Sequence, residues 1–463
     1  MRRLVLLLIP VALFAQQVVV DTVIRFPGEV GNGCFFPELN KLYVDNYPNG
    51  YFVLDCSTYQ LKPEIPAQAF LDHYSWDWRD QKLYVLSNPS PDSTIVVDVA
   101  ADSVIGCLAD CRDVFCDAYL SDIDVRFKPA RETLYEYDCR NDAIKRRLPI
   151  FSTCASWDSV GRKLYVGQGA DGRLYVYDYL RDSCLKVIDV SAIPATEPDA
   201  CVFSHKYRRA YVSSYQMDIG PDYVGILDTD RDTLLRVLPV RLENGLYRSV
   251  VVNDSDGKAY MTDCDGWYGH PDTMWVVDCA TDSVLKKFEC THEGRAEICI
   301  RWVPWSNRIY LIDASPDSVH GGSLVVVDCN TDSVIVPGML LGGNLYDIQL
   351  DPIRRRIFVT GDTDKVFVLH DSGYAAVQET PNAEGRAMNV SPTIVRGVLS
   401  LRGATSHKLQ AASLLDIAGR KVLDLRLGAN NVQGLAPGAY FVRSEPSAVS
   451  RQPSAVTKVV VTR

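Results

Sequence analysis

The side chains that could catalyse a reaction or bind a metal ion are sparse in this chain of 463 residues. No histidine lies in a zinc-binding, nucleophile-elbow or phosphate-loop pattern. The 14 cysteines lie between Cys34 and Cys329 and lack the two close pairs typical of a zinc site. We therefore expect neither a metal ion nor a cofactor. One adjacent pair, Asp72 and His73, could serve a lactonase-like site, although a histidine on a surface turn is the plainer interpretation.

Acidic and aromatic residues in long connections favour a different chemistry, namely contact with a ligand. The segment 262–273 is the longest of a series of polar gaps between short apolar runs. Aromatic rings and acids on protruding loops suit contact with a sugar or a protein. Alternatively, Trp267 and Tyr268 pack onto their own loop. The candidate ligand-binding residues are Tyr215, Asp263, Asp265, Trp267, Tyr268 and His270.

These loops belong to a unit that recurs every 40 to 50 residues. Each copy contains short β-branched and aromatic runs, and an acidic residue closes the second of them. Repeats of about 45 residues made of strands and turns are typical of β-propeller blades, which must cover each other's faces. We predict an all-β propeller with eight blades. Seven blades remain the alternative if the degenerate third unit, around Asp124–Phe127, is an insertion. The closing acids are Asp55, Asp98, Asp138, Asp178, Asp228, Asp278 and Asp328, with His370 at the eighth position.

The repeated acid has two interpretations. In Asp278-Cys-Ala-Thr-Asp282 it resembles part of a calcium loop, but calcium sites need alternating oxygen ligands and a later bidentate acid. A side chain that ties the backbone of a tight turn explains the acid more simply. Four cysteines directly follow such acids, and this placement predicts small, buried side chains; they are Cys56, Cys139, Cys279 and Cys329. Disulfide bonds stay possible in an exported protein.

The repeats resemble the YVTN family of β-propellers over roughly residues 17–375. The resemblance lies in the Lys-Leu-Tyr-Val strands that begin at Lys41, Lys82 and Lys163, and in the Val-Val-Asp-x-x-Thr-Asp-Ser-Val turns at Asp278 and Asp328. It implies the propeller fold. It does not imply an activity, because that family spans binding modules, scaffolds and relatives of enzymes.

Both ends of the chain indicate export. Residues 1–15 combine Arg2-Arg3 with a short apolar run, which predicts a secretory signal peptide cleaved near Ala15. No later segment is long and apolar enough to span a bilayer. The propeller is expected over 16–376, with the strand 17–26 pairing with the last repeat to close the ring. This part is strongly acidic, which disfavours nucleic acid as a partner.

A linker at 377–391 precedes a predicted immunoglobulin-like β-sandwich at 392–463, where Gly turns bound alternating strands. This region resembles the type A sorting domain of the type IX secretion system, although Ser391-Pro392 replaces the usual Asn-Pro and 444–454 is an insert. The resemblance implies export by that machinery; a plain accessory domain is the alternative. The residues that match its motifs are Asp416, Gly419, Arg420, Lys421, Val422, Pro437, Gly438, Tyr440 and Lys458.

Together these features predict a secreted or outer cell-surface propeller. We expect it to be a non-catalytic binding module for a glycan or a protein, with the secretion machinery as a second partner. A lactonase-like or sugar-cleaving enzyme with carboxylates in the channel is the first alternative. A structural protein of the surface layer is the second.

Overall fold

The structure, a computed structural model, forms two compact units, Met1–Ala376 and Val377–Arg463. The described residues of the first unit are 18–46, 49–67, 69–87, 93–109, 118–120, 124–130, 133–150, 152, 154–168, 172–179, 181, 183–193, 197–215, 223–240, 249–263, 272–291, 299–313 and 321–371. Those of the second are 393–396, 398–401, 412–415, 420–425, 428–432, 435, 438–444 and 456–462. The predicted signal peptide and the predicted linker lie outside these ranges.

The described residues of the first unit form eight antiparallel sheets, the blades of a propeller. Blade one contains β2 (Gly33–Phe36), β3 (Lys41–Asn46), β4 (Gly50–Asp55) and β5 (Gln60–Leu61), and β6 (Ile65–Pro66) also pairs with β4. Blade two contains β7 (Ala69–Asp77), β8 (Lys82–Ser87), β9 (Ser93–Asp98) and β10 (Ser103–Ala109). Blade three contains β11 (Ala118–Leu120), β12 (Val125–Ala130), β13 (Thr133–Asp138) and β14 (Ala143–Leu148). Blade four contains β15 (Cys154–Asp158), β16 (Lys163–Gln168), β17 (Arg173–Asp178) and β18 (Ser183–Asp189).

The remaining blades repeat this order of four strands, except that the last borrows a strand from the N-terminus. Blade five contains β19 (Glu197–Ser204), β20 (Arg209–Tyr215), β21 (Val224–Asp228) and β22 (Thr233–Leu238). Blade six contains β23 (Val250–Asn253), β24 (Lys258–Asp263), β25 (Thr273–Asp278) and β26 (Val284–Glu289). Blade seven contains β27 (Ile300–Val303), β28 (Arg308–Asp313), β29 (Ser323–Asp328) and β30 (Ser333–Leu340). Blade eight contains β31 (Asn344–Asp351), β32 (Arg356–Asp371) and β1 (Val18–Val30).

The hydrophobic core lies between neighbouring blades. One cluster joins Tyr260 and Met274 of blade six to Ile300 and Val325 of blade seven, and all four side chains are fully buried. The middle strands are therefore apolar on both faces, which is why their sequences read as continuous β-branched and aromatic runs. A single blade would expose both faces to water, so that the ring is the smallest unit that buries them.

Ring closure is confirmed as predicted. The N-terminal β1 pairs antiparallel with the second half of β32, from Val18 opposite Asp371 to Arg25 opposite Lys365, while the first half of β32 pairs with β31. The eighth blade thus joins the two ends of the repeat array. Pairing them removes the free edges that an open array would expose to other chains.

The degenerate third unit is a blade of its own, so the alternative count of seven blades is wrong. Its second strand, β12, begins at Val125 where other blades place Lys or Arg, and it pairs with β11 and β13 in the usual order. Phe127 takes the place of the repeated tyrosine and packs edge-on against Tyr179 of blade four, with ring centroids 5.8 Å apart. At this position, an aromatic contact stands where the other blades place a tyrosine with a polar partner.

The repeated acid ties a turn, as the simpler interpretation predicted. Asp278 Oδ1 accepts hydrogen bonds from the backbone N–H groups of Ala280 and Thr281, both at 2.8 Å. Four residues after the acid, Asp282 has a left-handed backbone with φ 58°. The same position is occupied by Asp102, Asp142, Asp232 and Asp332, which also have positive φ. Aspartate tolerates this conformation better than most side chains because it bonds to its own backbone.

The second Asp of each such turn is bound by the preceding blade. At five interfaces, the Lys or Arg that begins the second strand of one blade forms an ion pair with this Asp of the next blade. At a sixth interface, Arg308 pairs in the same way with Asp371, the last residue of β32. We call each of these six pairs a clasp. Most also include the tyrosine two residues after the basic residue, as where Tyr43 donates to Asp102 at 2.6 Å. The pairs are Lys41–Asp102, Lys82–Asp142, Lys163–Asp232, Arg209–Asp282, Lys258–Asp332 and Arg308–Asp371, at 2.5–2.8 Å. The Lys-Leu-Tyr-Val pattern is therefore an interface signature.

The interface between blades eight and one uses a variant of the clasp. Arg356 donates to the carbonyl oxygen of Cys56 and to Asn40 Oδ1, each at 2.6 Å. The described cysteines are free thiols, and Cys56, Cys139, Cys279 and Cys329 are buried as predicted.

The second unit is also built of strands. They form a five-stranded sheet in the order β33-β39-β38-β35-β36 and a two-stranded sheet of β34 and β37. In the larger sheet, β35 pairs antiparallel with β36. Packing of the two sheets as an immunoglobulin-like sandwich stays a prediction. The strands are β33 (Thr393–Arg396), β34 (Val398–Leu401), β35 (Ala412–Leu415), β36 (Lys421–Leu425), β37 (Gly428–Asn431), β38 (Gly438–Ser444) and β39 (Val456–Thr462).

Among the described residues of both units, no helix has the length and apolar character needed to cross a lipid bilayer.

Candidate functional site

Of the predicted ligand-binding segment 262–273, the structure describes 262–263 and 272–273. Asp263 ends β24, and its Oδ2 accepts a hydrogen bond at 3.0 Å from the indole Nε1–H of Trp275 on β25. Trp275 is itself buried. The carboxylate is thus held at the rim of blade six, where the connection to β25 begins. Tyr215 ends β20 and pairs with Glu197 of β19. The remaining candidates, Asp265, Trp267, Tyr268 and His270, lie outside the described residues.

The first strands of the blades lie around the ring axis. Those of successive blades contact each other, as β15 does β19, β19 does β23, β23 does β27, and β31 does β2. Side chains of several blades can therefore meet one another on these first strands. The sequence pattern did not single out most of them, because first strands carry no repeated polar motif.

A polar cluster spans four consecutive blades at this axis, and we call it the axial cluster. It contains Arg301 of blade seven, Asp347 and Gln349 of blade eight, Cys34 of blade one and Tyr74 of blade two. Arg301 pairs with Asp347 at 3.2 Å, and the Gln349 amide donates to Asp347 Oδ2 at 2.6 Å and to the Tyr74 hydroxyl oxygen at 3.3 Å. The cluster therefore links blades seven, eight, one and two, around the point where the ring closes.

Asp347 is the most heavily bonded member of the axial cluster. Its Oδ1 accepts from Arg301, from the backbone N–H of Ile348 at 2.8 Å and from the thiol of Cys299 at 3.3 Å. Its Oδ2 accepts from Gln349 and, at 3.4 Å, from the N–H of Gly33. A carboxylate that is bonded in this way is neutralised and held in place, so it is poorly suited to act as a base.

Burial keeps the weakly acidic members of the axial cluster protonated. Desolvation is the largest cause that raises the pKa of the Cys34 thiol well above its usual value, with further increases from Asp347 and Asp45. The pKa of Tyr74 is also raised, first by desolvation and then by Cys34 and Asp347. A reactive cysteine needs the opposite shift, toward the thiolate. These two groups can therefore donate hydrogen bonds, whereas nucleophilic attack by either is disfavoured.

Arg301 of the axial cluster remains partly accessible to solvent. About 30% of its side chain is exposed, against 9% for Asp347. Its Nη1 donates to the carbonyl oxygen of Ile300 at 3.0 Å, and its Nη2 donates to Asp347. A partly exposed guanidinium in a fixed position can contact a polar or anionic group of a ligand.

The sequence also suggested two alternative sites, a lactonase-like pair at Asp72–His73 and a calcium loop at Asp278. Asp72 and His73 lie within β7, and their side chains are outside the described part of the structure. Asp278, the calcium-loop alternative, ties its own turn, while Asp282 binds Arg209 in a clasp.

The structure describes some of the residues of the predicted sorting motif. Arg420 and Lys421 are exposed, with Lys421 and Val422 opening β36, and Tyr440 on β38 is buried. Gly438 begins β38, opposite Val461, and Lys458 lies on β39, opposite Phe441. Asp416, Gly419 and Pro437 lie outside the described residues.

Many solved structures match this chain, whereas comparison by sequence finds no match. No protein-family profile matches the chain, and no curated protein matches its sequence. Among solved structures, a chain of the hydrazine synthase of Kuenenia stuttgartiensis is similar with a TM-score of 0.47 and 13% sequence identity. The alignment covers 64% of this chain and 94% of that one. The assignment as an eight-bladed all-β propeller rests on the eight sheets themselves.

Proposed function

We propose that this chain is an exported, YVTN-type propeller that binds a glycan or a protein without catalysing a reaction. The ring provides a rigid support, and the connections between second and third strands in blades five to seven contact the ligand. A type A sorting domain at 392–463 directs the chain through the type IX secretion machinery to the outside of the cell.

The single observation that carries this proposal is the uneven length of equivalent connections. In blades one to seven, the connections between second and third strands all leave the same end of the ring, because these blades have the same strand order. The connection between β3 and β4 spans 47–49, whereas those of blades five, six and seven span 216–223, 264–272 and 314–322. Long loops grouped on a rigid scaffold are a common form of binding surface.

The axial cluster supports binding over hydrolysis. Glycoside cleavage uses a pair of carboxylates, one of them free to act as base or nucleophile. Asp347 has its oxygens engaged by Arg301, Gln349 and backbone N–H groups. This arrangement fixes the centre of the ring and leaves the accessible part of Arg301 to contact a ligand.

The test of binding is a glycan and protein array probed with the full mature chain, followed by variants of the loop in blade six. We expect the double substitution Trp267→Ala and Tyr268→Ala to reduce affinity for the array hit at least tenfold. Trp78→Ala is the matched control: it removes a 49% exposed indole from the turn between β7 and β8, at the opposite end of the ring. Equal affinity of the double variant and the parent would exclude this loop.

Export is tested by removing the tail. A chain ending at 376 should retain the thermal midpoint of the propeller, because the two units are separately compact. It should accumulate in the periplasm of a host that has type IX secretion. Unchanged display of the truncated chain at the cell surface would refute the sorting assignment without affecting the binding proposal.

A further inference from the structure

Three side chains with metal-ligating atoms converge between blades two and three. Asp77 ends β7, Asp124 immediately precedes β12, and Cys139 immediately follows β13. Each offers one ligand atom, and these atoms lie within 4.8 Å of one another. Tyr119 adds a fourth polar group, since its hydroxyl lies 2.7 Å from Asp77 Oδ1 and 3.2 Å from Asp124 Oδ1.

One oxygen of Asp77 has no hydrogen-bond partner although it is buried. The residue is 1% exposed, and its Oδ1 accepts from Tyr119 and from the backbone N–H groups of Arg79 and Asp80. Its Oδ2 is buried, and the described residues place no donor against it. Leaving a buried carboxylate oxygen unpaired is costly, and a bound cation removes that cost.

At the equivalent positions between blades four and five, an arginine provides the hydrogen bonds that such a carboxylate needs. Asp158, the counterpart of Asp77, accepts from both Nη atoms of Arg208, at 3.2 and 2.9 Å. Arg208 occupies the position that Asp124 occupies between blades two and three, and both have a left-handed backbone. One interface thus pairs a carboxylate with the chain's own cation, and the other faces it with a second carboxylate.

Two further counterparts of Asp77 also find their partner within the chain. In blade eight, Asp351 accepts from Arg356 of its own blade at 3.0 and 2.7 Å. Between blades six and seven, both positions are amides, and Asn253 donates to Asn307 Oδ1 at 2.8 Å. At these three comparison positions, the chain itself supplies the donor or the cation.

Two basic side chains of blades two and three, Lys82 and Arg126, have other contacts. Lys82 donates to the carbonyl oxygen of Cys139 at 2.7 Å and to Asp142 in its clasp at 2.8 Å. Arg126 stacks over the Tyr84 ring at 4.0 Å from its centroid.

We propose that Asp77, Asp124 and Cys139 bind a divalent metal ion of borderline softness, with Zn²⁺ as the first candidate. Calcium and magnesium take oxygen ligands alone, whereas zinc accepts carboxylate oxygen and thiolate sulfur together. The bound ion links blade two to blade three, as the Arg208–Asp158 pair links blade four to blade five. The site is a structural cross-link and does not depend on the proposed ligand-binding function.

Binding must release a proton from Cys139, because the ligand is the thiolate. Burial raises the pKa of this thiol to about 12, with a further increase from Asp77 and a decrease from Arg126.

The test titrates Co²⁺ into the metal-free full chain, kept reduced, while absorbance is recorded. We expect one equivalent to produce a sulfur-to-cobalt charge-transfer band together with visible d–d bands. Cys139→Ser should abolish the charge-transfer band, and Zn²⁺ should displace Co²⁺. Cys279→Ser is the matched control, since Cys279 has the equivalent position in blade six and lies outside the three-residue cluster. Absence of stoichiometric binding, or a band that survives Cys139→Ser, would overturn the proposal.

A second measurement separates lost binding from lost folding. Without metal, Asp124→Asn should raise the thermal midpoint or leave it unchanged, because it removes a negative charge facing Asp77. With saturating Zn²⁺, the parent should gain several degrees and Asp124→Asn should gain at least threefold less. An equal gain in both proteins would refute the site.

Discussion

Arg308 and Asp371 form an ion pair whose two side chains are 1% and 0% exposed. The pair joins blade seven to blade eight, and Asp371 lies directly opposite Val18 of the closing strand β1. Tyr310 also donates to Asp371 at 2.7 Å. The most buried clasp therefore lies where the N-terminal strand completes the ring.

Removing one partner of this clasp should destabilise the protein strongly. Arg308→Met leaves the Asp371 carboxylate buried without its cation, and we expect a loss of about 3–5 kcal/mol. Adding Asp371→Asn to that variant should recover part of the loss, because the unpaired charge is removed. Urea unfolding of both single variants and the double variant measures the coupling. Losses that simply add would contradict the interpretation. As a control, Lys41→Met should cost less, because Lys62 still pairs with Asp102.

Stability should decrease in acid through the carboxylate of Asp102, which belongs to the clasp with Lys41. Burial alone would raise the pKa of Asp102, but hydrogen bonds from Lys41, Lys62 and Tyr43 lower it below 3.8. A carboxyl whose folded-state pKa is lowered contributes stability that is complete well above its unfolded-state pKa and is lost as pH falls through the folded-state pKa. The difference in unfolding free energy between the parent and Asp102→Asn should be constant from pH 7 to about pH 5. It should shrink below about pH 4, as measured by urea midpoints. A difference that grows on acidification would exclude this linkage.

Deleting 18–30 should open the ring. Blade eight would lose β1, and the second half of β32 would become a free edge. We expect loss of cooperative thermal unfolding and concentration-dependent association, measured by calorimetry and light scattering. A synthetic peptide of residues 18–30 added in trans should restore a monomeric, cooperative species. A deletion variant with the parental thermal midpoint would show that β1 does not close the ring.

The residue directly before the second strand of a blade has a left-handed backbone at several interfaces. Two substitutions at this position are expected to change stability in opposite directions. Arg355 has φ 56° and is exposed, while Gly257 has the equivalent position in blade six with φ 70°. Arg355→Gly should stabilise the chain by about 0.5–1 kcal/mol, because glycine avoids the cost of this backbone conformation. Gly257→Ala should destabilise it, since the new Cβ would lie 2.5 Å from the Tyr207 hydroxyl. The thermal midpoints of the two variants test these predictions. A lower midpoint for Arg355→Gly than for the parent would refute the first prediction.

Much of the fold could be predicted from local pattern. The spacing of the closing acids gave the blades, and the free strand before the first blade gave ring closure. Both signals are local because each blade repeats the same turn, in which an acid such as Asp278 bonds the next two N–H groups. The third blade was the uncertain one, since Val125 and Phe127 replace the repeated Lys and Tyr.

The candidate sites were less accessible to sequence reasoning. Spacing along the chain gave no reason to suspect metal at Cys139, because its partners lie on the preceding blade and on a turn. The axial cluster likewise unites Tyr74 and Gln349, which are 275 residues apart in sequence.

The sequence by itself determined the repeating strand-and-turn unit, the acids that fold each turn and the basic and tyrosine residues that begin each second strand. These follow from backbone propensity and from hydrophobic runs, which act over a few residues. Only the tertiary structure decided which blade supplies the cation for Asp102, that Asp347 is fully bonded at the axis, and that Asp77 and Asp124 face each other. The reason is that polar groups in a ring find their partners across blade interfaces, where closure of the whole array sets the distances.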